Sequence, residues 1–130
     1  MIKYSYTILY VTDVEKSIRF YEAAFGFQRK FITPEADYGE LITGDTTLSF
    51  ITKALGNANL KNGFVESRLS EKPFGVELGF ATPDVEEVIK QVIQAGGTLL
   101  EEPKQKPWGQ TIAYARDLDG FLIEICTPMN

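Results

Sequence analysis

The chain has 130 residues, of which 44% are hydrophobic and 24% charged, a composition typical of one globular domain. Its net charge of −5 argues against nucleic-acid binding, which needs clustered Lys and Arg, and the absence of histidine excludes a His-based metal centre or catalytic triad within the chain. There is no apolar run of about 18 residues and no export signal, so we expect a cytoplasmic protein that does not engage a membrane.

The first half of the chain predicts a strand, a helix and three further strands. Residues 4–11 are rich in β-forming residues and end at Thr12, which has capping-box spacing with Glu15 and is therefore the expected helix N-cap. Apolar residues then recur at helical spacing as far as Gly26, the expected C-terminal cap. Strands are predicted at residues 27–33, 39–43 and 46–52. The order of elements is βαβββ.

The second half repeats this order. A strand at residues 74–81 leads to a helix with Thr82 as its expected N-cap and Pro83 at its first position, and Gly96-Gly97 ends that helix. Strands are predicted at about residues 98–101, 110–115 and 121–126. Residues 6–27 align without a gap to residues 77–98 with 6 identities in 22 positions, which indicates an internal repeat.

The stretch between the two copies, about residues 54–73, is polar and has no sustained period. It predicts an inter-module linker that is either mobile or lies over a ligand site. We therefore expect one domain over residues 1–130, with module one at about 3–53 and module two at about 74–128. Near the end, the Asp117-Leu118-Asp119-Gly120 run predicts a tight turn into the last strand.

Two βαβββ modules predict an α+β fold in which the sheets meet edge to edge as an open, cup-shaped mixed sheet, with the helices on its outer face and the concave face free for a ligand. Side chains alternate between the faces of a strand. This alternation places Tyr6, Tyr10, Ser49, Glu77 and Glu124 on the concave side.

Two segments carry a resemblance that covers nearly the whole chain. LYVTDVEKSIRFYEAAFGF combines a strand, an Asp, a helix with an aromatic pair and a Phe-Gly ending, and PWGQTIAYARDLDGFLIEI combines Trp-Gly, Asp-x-Asp-Gly and a strand-borne Glu. These motifs resemble the vicinal oxygen chelate superfamily, which includes glyoxalase I, bleomycin-resistance proteins and extradiol dioxygenases. In character the chain is most similar to the metal-free bleomycin-resistance-like branch. The resemblance also implies a homodimer.

Metal-dependent members of that superfamily place ligands on four strands, and the motifs bring Tyr6, Ser49, Glu77 and Glu124 onto those four positions. Only Glu124 keeps a residue type that the family commonly uses as a ligand. The resemblance therefore implies a degenerate metal site, and we expect no cofactor. A weakly bound divalent metal on these oxygen donors is the alternative.

The resemblance leaves two classes of function open. The first is a small-molecule binder that sequesters a planar or cationic compound such as an antibiotic, and the candidate ligand-binding residues are Tyr6, Tyr10, Tyr38, Ser49, Glu77, Trp108 and Glu124. Tyr38 and Trp108, each followed by Gly, are interpreted as symmetric rim aromatics. The second is a lactoylglutathione-lyase-like or dioxygenase-like enzyme acting on a small oxygen-rich substrate, with a metal or with Glu77 and Glu124 as a carboxylate base. We favour the non-catalytic binder.

Overall fold

A computed structural model describes residues 1–129 of the chain. The strands and helices are β1 (Tyr6–Val11), α1 (Val14–Phe25), β2 (Gln28–Ile32), β3 (Tyr38–Ile42), β4 (Thr47–Thr52), α2 (Lys53–Asn59), β5 (Glu77–Ala81), α3 (Val85–Gln94), β6 (Thr98–Gln105), β7 (Thr111–Arg116) and β8 (Leu122–Cys126). They form two compact units, Met1–Glu22 with Gly26–Glu66, and Ala23–Phe25 with the residues from Ser67 onward. Within residues 1–129, none of the helices has the length and apolar character needed to cross a membrane.

The first unit is built on a four-stranded mixed sheet with the order β1-β4-β3-β2, in which β1 runs parallel to β4 and the other pairs are antiparallel. Helix α1 packs on one face of this sheet, and its Tyr21 ring lies 5.3 Å from the Phe50 ring of β4. The helix approaches β3 so closely that a Cβ on Gly39 would lie 2.6 Å from the Ile18 side chain. A side chain at residue 39 would therefore force the buried Ile18 side chain to move.

The second unit has a sheet of the same kind, with the order β5-β8-β7-β6 and β5 parallel to β8. Helix α3 packs against β6, β7 and β8. Val92 of the helix and Ile123 and Ile125 of β8 are fully buried. The predicted α+β class and the repeated βαβββ order are thus confirmed. In each unit a helix packs on a mixed sheet.

Helix α1 begins one residue later, and helix α3 two residues later, than the sequence predicts. The N-cap of α1 is Asp13, whose Oδ1 accepts a hydrogen bond from the Lys16 amide at 3.0 Å, and the N-cap of α3 is Asp84, whose Oδ1 accepts from the Glu87 amide at 3.1 Å. The assignment of Thr12 and Thr82 as caps was therefore wrong. Asp is at least as strong an N-cap as Thr. Where the two residues stand next to each other or one residue apart, the sequence alone does not show which of them caps the helix.

The predicted linker contains the short helix α2. Thr52 is its N-cap, and the Thr52 Oγ1 accepts from the Leu55 amide at 3.2 Å. A Cβ on Gly56 would lie 2.6 Å from the Tyr10 ring, so this helix rests directly on Tyr10. Because α2 has only seven residues, it is too short to show the helical period by which a sequence pattern is recognised.

The turn between β7 and β8 has the hydrogen bonds that its Asp and Gly residues predict. Asp117 Oδ1 accepts from the amides of Asp119 and Phe121 at 3.0 and 2.9 Å. The buried guanidinium of Arg116 donates to the Gly120 carbonyl at 2.9 Å and to the Arg68 carbonyl at 3.0 Å. Arg116 therefore fastens the segment after residue 67 to this turn.

Gly120 has φ +92°, and a Cβ there would lie 2.9 Å from the Arg68 backbone, whereas Gly44 has φ +96° with nothing within 4 Å. We expect Gly120→Ala to lower the free energy of unfolding by about 3 kcal/mol, from backbone strain plus overpacking, and Gly44→Ala by about 1 kcal/mol, from strain alone. Urea denaturation measures both values. Equal losses in the two variants would contradict the close packing of Gly120 on Arg68.

Candidate functional site

The face of the second sheet that α3 does not cover carries two neighbouring carboxylates. Glu124 on β8 lies opposite Gly79 on β5, and Glu77 lies two residues earlier on β5. Gly79 leaves open space, with no atom within 4 Å of where its Cβ would be. The pKa of Glu77 is raised by partial burial, by a hydrogen bond with Glu124 and by the Glu124 charge. The structure thus brings the two predicted glutamates together.

A phenol and a thiol border this carboxylate pair. The Tyr114 hydroxyl donates to Glu124 Oε1 at 3.3 Å, and burial followed by the charges of Glu124 and Glu77 raises the pKa of Tyr114. Burial, and then the hydrogen bond and charge of Glu124, raise the pKa of the Cys126 thiol. A thiol with a raised pKa is a poor nucleophile, so Cys126 is a neighbour of the pair rather than a reactive group.

The pair has no basic counter-ion within residues 1–129, since the ion pairs there join other residues. Two carboxylates beside a protonated phenol and thiol concentrate negative charge without a compensating cation. Such an arrangement can hold an ammonium or amidinium group, or it can share and transfer a proton.

The first sheet places a different group on the face that α1 does not cover. The Tyr38 hydroxyl donates to Glu40 Oε2 at 2.6 Å, and Glu40 is only 7% exposed. Burial, and then the hydrogen bond to Glu40, raise the pKa of Tyr38 to about 12, while Ser49 acts in the opposite direction and Tyr6 adds a small electrostatic contribution. Tyr6, Tyr38 and Ser49, three of the predicted site residues, are therefore close to one another.

Glu40 was missed by the sequence prediction. It lies two residues after Tyr38 on β3 and opposite Ser49 on β4. Strand alternation from Tyr38 puts Glu40 on the same face, and this signal was available in the sequence. The prediction instead followed the first and last strands of each module, where the family resemblance places its ligand positions.

The last two predicted aromatic residues lie in other surroundings. Tyr10 packs edge-to-face on Phe64, with ring centroids 4.7 Å apart, so its ring helps to hold α2 and residue 64. Trp108 lies in the turn before β7, is 61% exposed, and donates from Nε1 to Gln110 Oε1 at 2.8 Å. Gln110 in turn donates to the Thr127 carbonyl at 2.8 Å, which fixes the orientation of the indole.

The predicted symmetry of Tyr38 and Trp108 was wrong, whereas that of Ser49 and Glu124 is supported by the strand register. Ser49 lies opposite Ile8, and Glu124 lies opposite Gly79, which is the equivalent of Ile8 at an offset of 71. Tyr38 lies opposite Ile51, which comes two residues after Ser49. In the second sheet the residue two after Glu124 is Cys126, and it lies opposite Ile112. The equivalent of Tyr38 is therefore Ile112 and not Trp108.

The sequence pattern of the glyoxalase-like domain matches residues 4–130. The chain belongs to this family. The predicted membership of the vicinal oxygen chelate superfamily, of which the family is part, is thereby confirmed.

The chain is 27% identical over 128 residues to a lactoylglutathione lyase of Arabidopsis thaliana, covering 95% of this chain but only 43% of that enzyme. Solved structures also share the fold, and two of them serve as examples. A glyoxalase-related enzyme from Fulvimarina pelagi is 24% identical with a TM-score of 0.83, covering 98% of this chain and 89% of that one. A glyoxalase/bleomycin resistance protein/dioxygenase family enzyme from Burkholderia phytofirmans is 23% identical with a TM-score of 0.78, covering 98% and 100%.

The residues at the superfamily's ligand positions do not fit a catalytic zinc or iron ion. Such sites use about three His, Cys or carboxylate ligands. Within residues 1–129 no three His, Cys, Asp or Glu side chains lie close enough together to hold a metal. Ser49 and Tyr6 offer only neutral oxygens, which are weak ligands for these metals.

We expect the Glu124→Gln substitution to lower the pKa of Glu77 toward its ordinary value of 4.5, because it removes the neighbouring charge. The folded protein holds the Glu77 proton more tightly than the unfolded chain does. This stabilisation is fully present below pH 4.5 and is lost as the pH rises through the raised pKa, a loss that is smaller in Glu124→Gln. Carbon-13 NMR titration of the glutamate carboxyls measures the pKa.

Glu86→Gln is the matched control for this titration, because Glu86 lies in the first turn of α3 and its substitution removes the same charge. An unchanged pKa of Glu77 in Glu124→Gln would show that the two carboxyl groups do not interact.

Proposed function

We propose that this chain is a small-molecule-binding protein that sequesters a planar, cationic organic compound, an antibiotic being one candidate of this class. The observation that carries the proposal is the Glu77–Glu124 pair on the uncovered face of the second sheet, with no basic partner within residues 1–129. An ammonium or amidinium on this pair takes the place of the missing counter-ion. The homodimer implied by the resemblance stays a prediction.

Electrostatics favour a cation at this position for two reasons. A charge-assisted hydrogen bond contributes about 1.5–3 kcal/mol, and a cation between two carboxylates also removes their mutual repulsion. Trp108 offers an exposed, oriented ring on the same unit for the planar part of such a ligand. Stacking of a cation on an indole contributes about 0.5–2 kcal/mol.

We expect Glu77→Gln and Glu124→Gln each to weaken the binding of a flat aromatic cation about tenfold or more, because each removes one charge-assisted bond. Isothermal titration calorimetry with a panel of such cations measures the affinity. Binding should tighten as the pH rises through the raised pKa of Glu77, because a bound cation displaces the shared proton.

Glu86→Gln serves again as the matched control and should bind with wild-type affinity. Since Trp108 is the single tryptophan of the chain, its fluorescence reports independently whether the ligand reaches that ring. Equal affinity in wild type, Glu77→Gln and Glu124→Gln would refute the assignment of the carboxylate pair.

A second function, proton transfer on a small oxygen-rich substrate, is favoured by one observation. The pKa of Glu77 is raised and its carboxyl shares a hydrogen bond with Glu124, and a carboxylate with a raised pKa is a stronger general base than an ordinary one. The Arabidopsis relative is named as a lactoylglutathione lyase, although this chain spans less than half of its length. In this alternative, Glu77 takes the proton and Glu124 holds the carboxyl in place.

Metal dependence separates the remaining enzyme classes. We expect Zn²⁺, Mn²⁺ and Mg²⁺ to leave the melting temperature of the EDTA-treated protein unchanged, because the donor set supplies too few anionic ligands. A saturable rise with one ion, together with metal-dependent lactoylglutathione lyase activity, would make the metal-dependent enzyme the function. Activity in the presence of EDTA that is lost in Glu77→Gln would support the carboxylate base.

A further inference from the structure

A third carboxylate, separate from the Glu77–Glu124 pair, is buried on the uncovered face of the first sheet. Glu40 is 7% exposed, and its Oε2 accepts the Tyr38 hydroxyl at 2.6 Å. Its Oε1 faces the ammonium of Lys30 at 3.6 Å, a separation too long for a hydrogen bond. Because the Lys30 side chain is 57% exposed, this ion pair is held loosely and is easily broken.

An unsatisfied hydroxyl lies beside this carboxylate. Ser49 is fully buried, and its Oγ is the buried side-chain polar atom that lacks a hydrogen-bond partner within residues 1–129. Ser49 lies opposite Glu40 in the strand register, and hydrogen bonding between its hydroxyl and that of Tyr38, short of full hydrogen-bond geometry, lowers the pKa of Tyr38. Leaving a buried hydroxyl without a full hydrogen bond is unfavourable, so Ser49 Oγ keeps the capacity to take a further hydrogen-bond partner beside Glu40.

The surroundings of Glu40 and Ser49 are aromatic and apolar. Tyr6 and Ile8 of β1 point to the same face and are 52% and 42% exposed. Phe31 lies opposite Glu40 on β2, with its ring 5.9 Å from that of Tyr38. A flat hydrophobic group bound here would cover exposed apolar surface while its charged end reaches the carboxylate.

We propose that Glu40, Tyr38 and Ser49 form a second ligand subsite, which binds an amidinium or a protonated amine attached to an aromatic group, and that Lys30 occupies Glu40 until the ligand displaces it. The ligand cation pairs with Glu40 Oε1, while Tyr38 continues to hold Oε2 in place. A further N–H of the ligand donates to Ser49 Oγ. This subsite rests on the proposed function and extends it to the first unit, and it shares no residue with the Glu77–Glu124 pair or with Trp108.

Displacement of Lys30 has a measurable consequence, because an external cation must compete with the lysine ammonium. Lys30→Gln, which removes the loosely held ion pair with Glu40, should raise the affinity for the ligand cation about two- to fivefold. Removing the carboxylate in Glu40→Gln should lower affinity by about tenfold or more. Ser49→Ala should weaken binding about three- to tenfold while the melting temperature stays the same or rises, because that substitution removes an unsatisfied buried hydroxyl.

The test uses the full chain and benzamidinium as the probe, with the dissociation constant and the site both read from amide chemical shifts in NMR titrations. Lys30→Gln is compared with Lys16→Gln, which removes the same charge from exposed Lys16 on α1. We expect shifts at the β3 and β4 amides, tighter binding in Lys30→Gln, wild-type affinity in Lys16→Gln and weaker binding in Ser49→Ala. These variants keep the proposal testable if Glu40→Gln does not fold.

The outcome separates this subsite from the Glu77–Glu124 pair. Amide shifts confined to β5 and β8 would overturn the subsite and leave the assignment of the Glu77–Glu124 pair intact. Amide shifts confined to β3 and β4 would support the subsite and overturn the assignment of the Glu77–Glu124 pair. Saturation of the β3 and β4 amides with the same affinity in wild type, Lys30→Gln and Ser49→Ala would overturn the role of Lys30 and Ser49. The absence of any shift at β3 and β4 at millimolar benzamidinium would overturn the subsite itself.

Discussion

The close approach of helix α1 to strand β3 is the constraint on which the first sheet depends. Gly39 faces the helix, and a side chain larger than hydrogen at this residue would displace Ile18. Because alternation along a strand is strict, Tyr38 and Glu40 are then forced onto the opposite face. A one-residue shift of register would drive the Glu40 carboxylate into the apolar contact between α1 and the sheet, which is far costlier than its present position. One glycine thus fixes where the charge of the first sheet lies.

The two modules use the same strand positions for different chemistry. In the first module the carboxylate Glu40 lies on β3, opposite Ser49 on β4. In the second module the carboxylate Glu124 lies on β8, opposite Tyr114 on β7. A tyrosine hydroxyl donates to the carboxylate in each case. The difference lies in the next neighbour, since Lys30 faces Glu40 whereas Glu77, a second acid, faces Glu124. One sheet has a weak internal counter-ion, and the other has charge repulsion.

Much of this arrangement could be predicted from the sequence, and the failures have physical causes. The internal repeat and period-two alternation predicted the order of elements and the placement of Glu77 and Glu124 on the uncovered face, because both depend only on local geometry. The distance between the two carboxylates was left open, because it depends on the pairing of strands that lie far apart in the sequence. The pairing of Tyr38 with Trp108 failed because the hairpin before β7 is irregular, with shifts of register between β6 and β7 that a constant offset cannot contain. Helix α2 escaped because a polar helix of seven residues has no period to detect.

Each sheet keeps a polar group at a position where another residue would stabilise the fold. A Val or Ala at residue 49 would remove a buried hydroxyl without a partner, and a Gln at residue 77 or 124 would remove the repulsion between two acids. Structural roles do not account for these choices, because neither group caps a helix or closes a turn in the described part of the chain. Local features that lower stability without a structural return are concentrated at binding and catalytic sites. The buried hydroxyl without a full hydrogen bond in one sheet, and the two neighbouring acids without a counter-ion among the described residues in the other, therefore support, independently, the proposal that these faces bind a ligand.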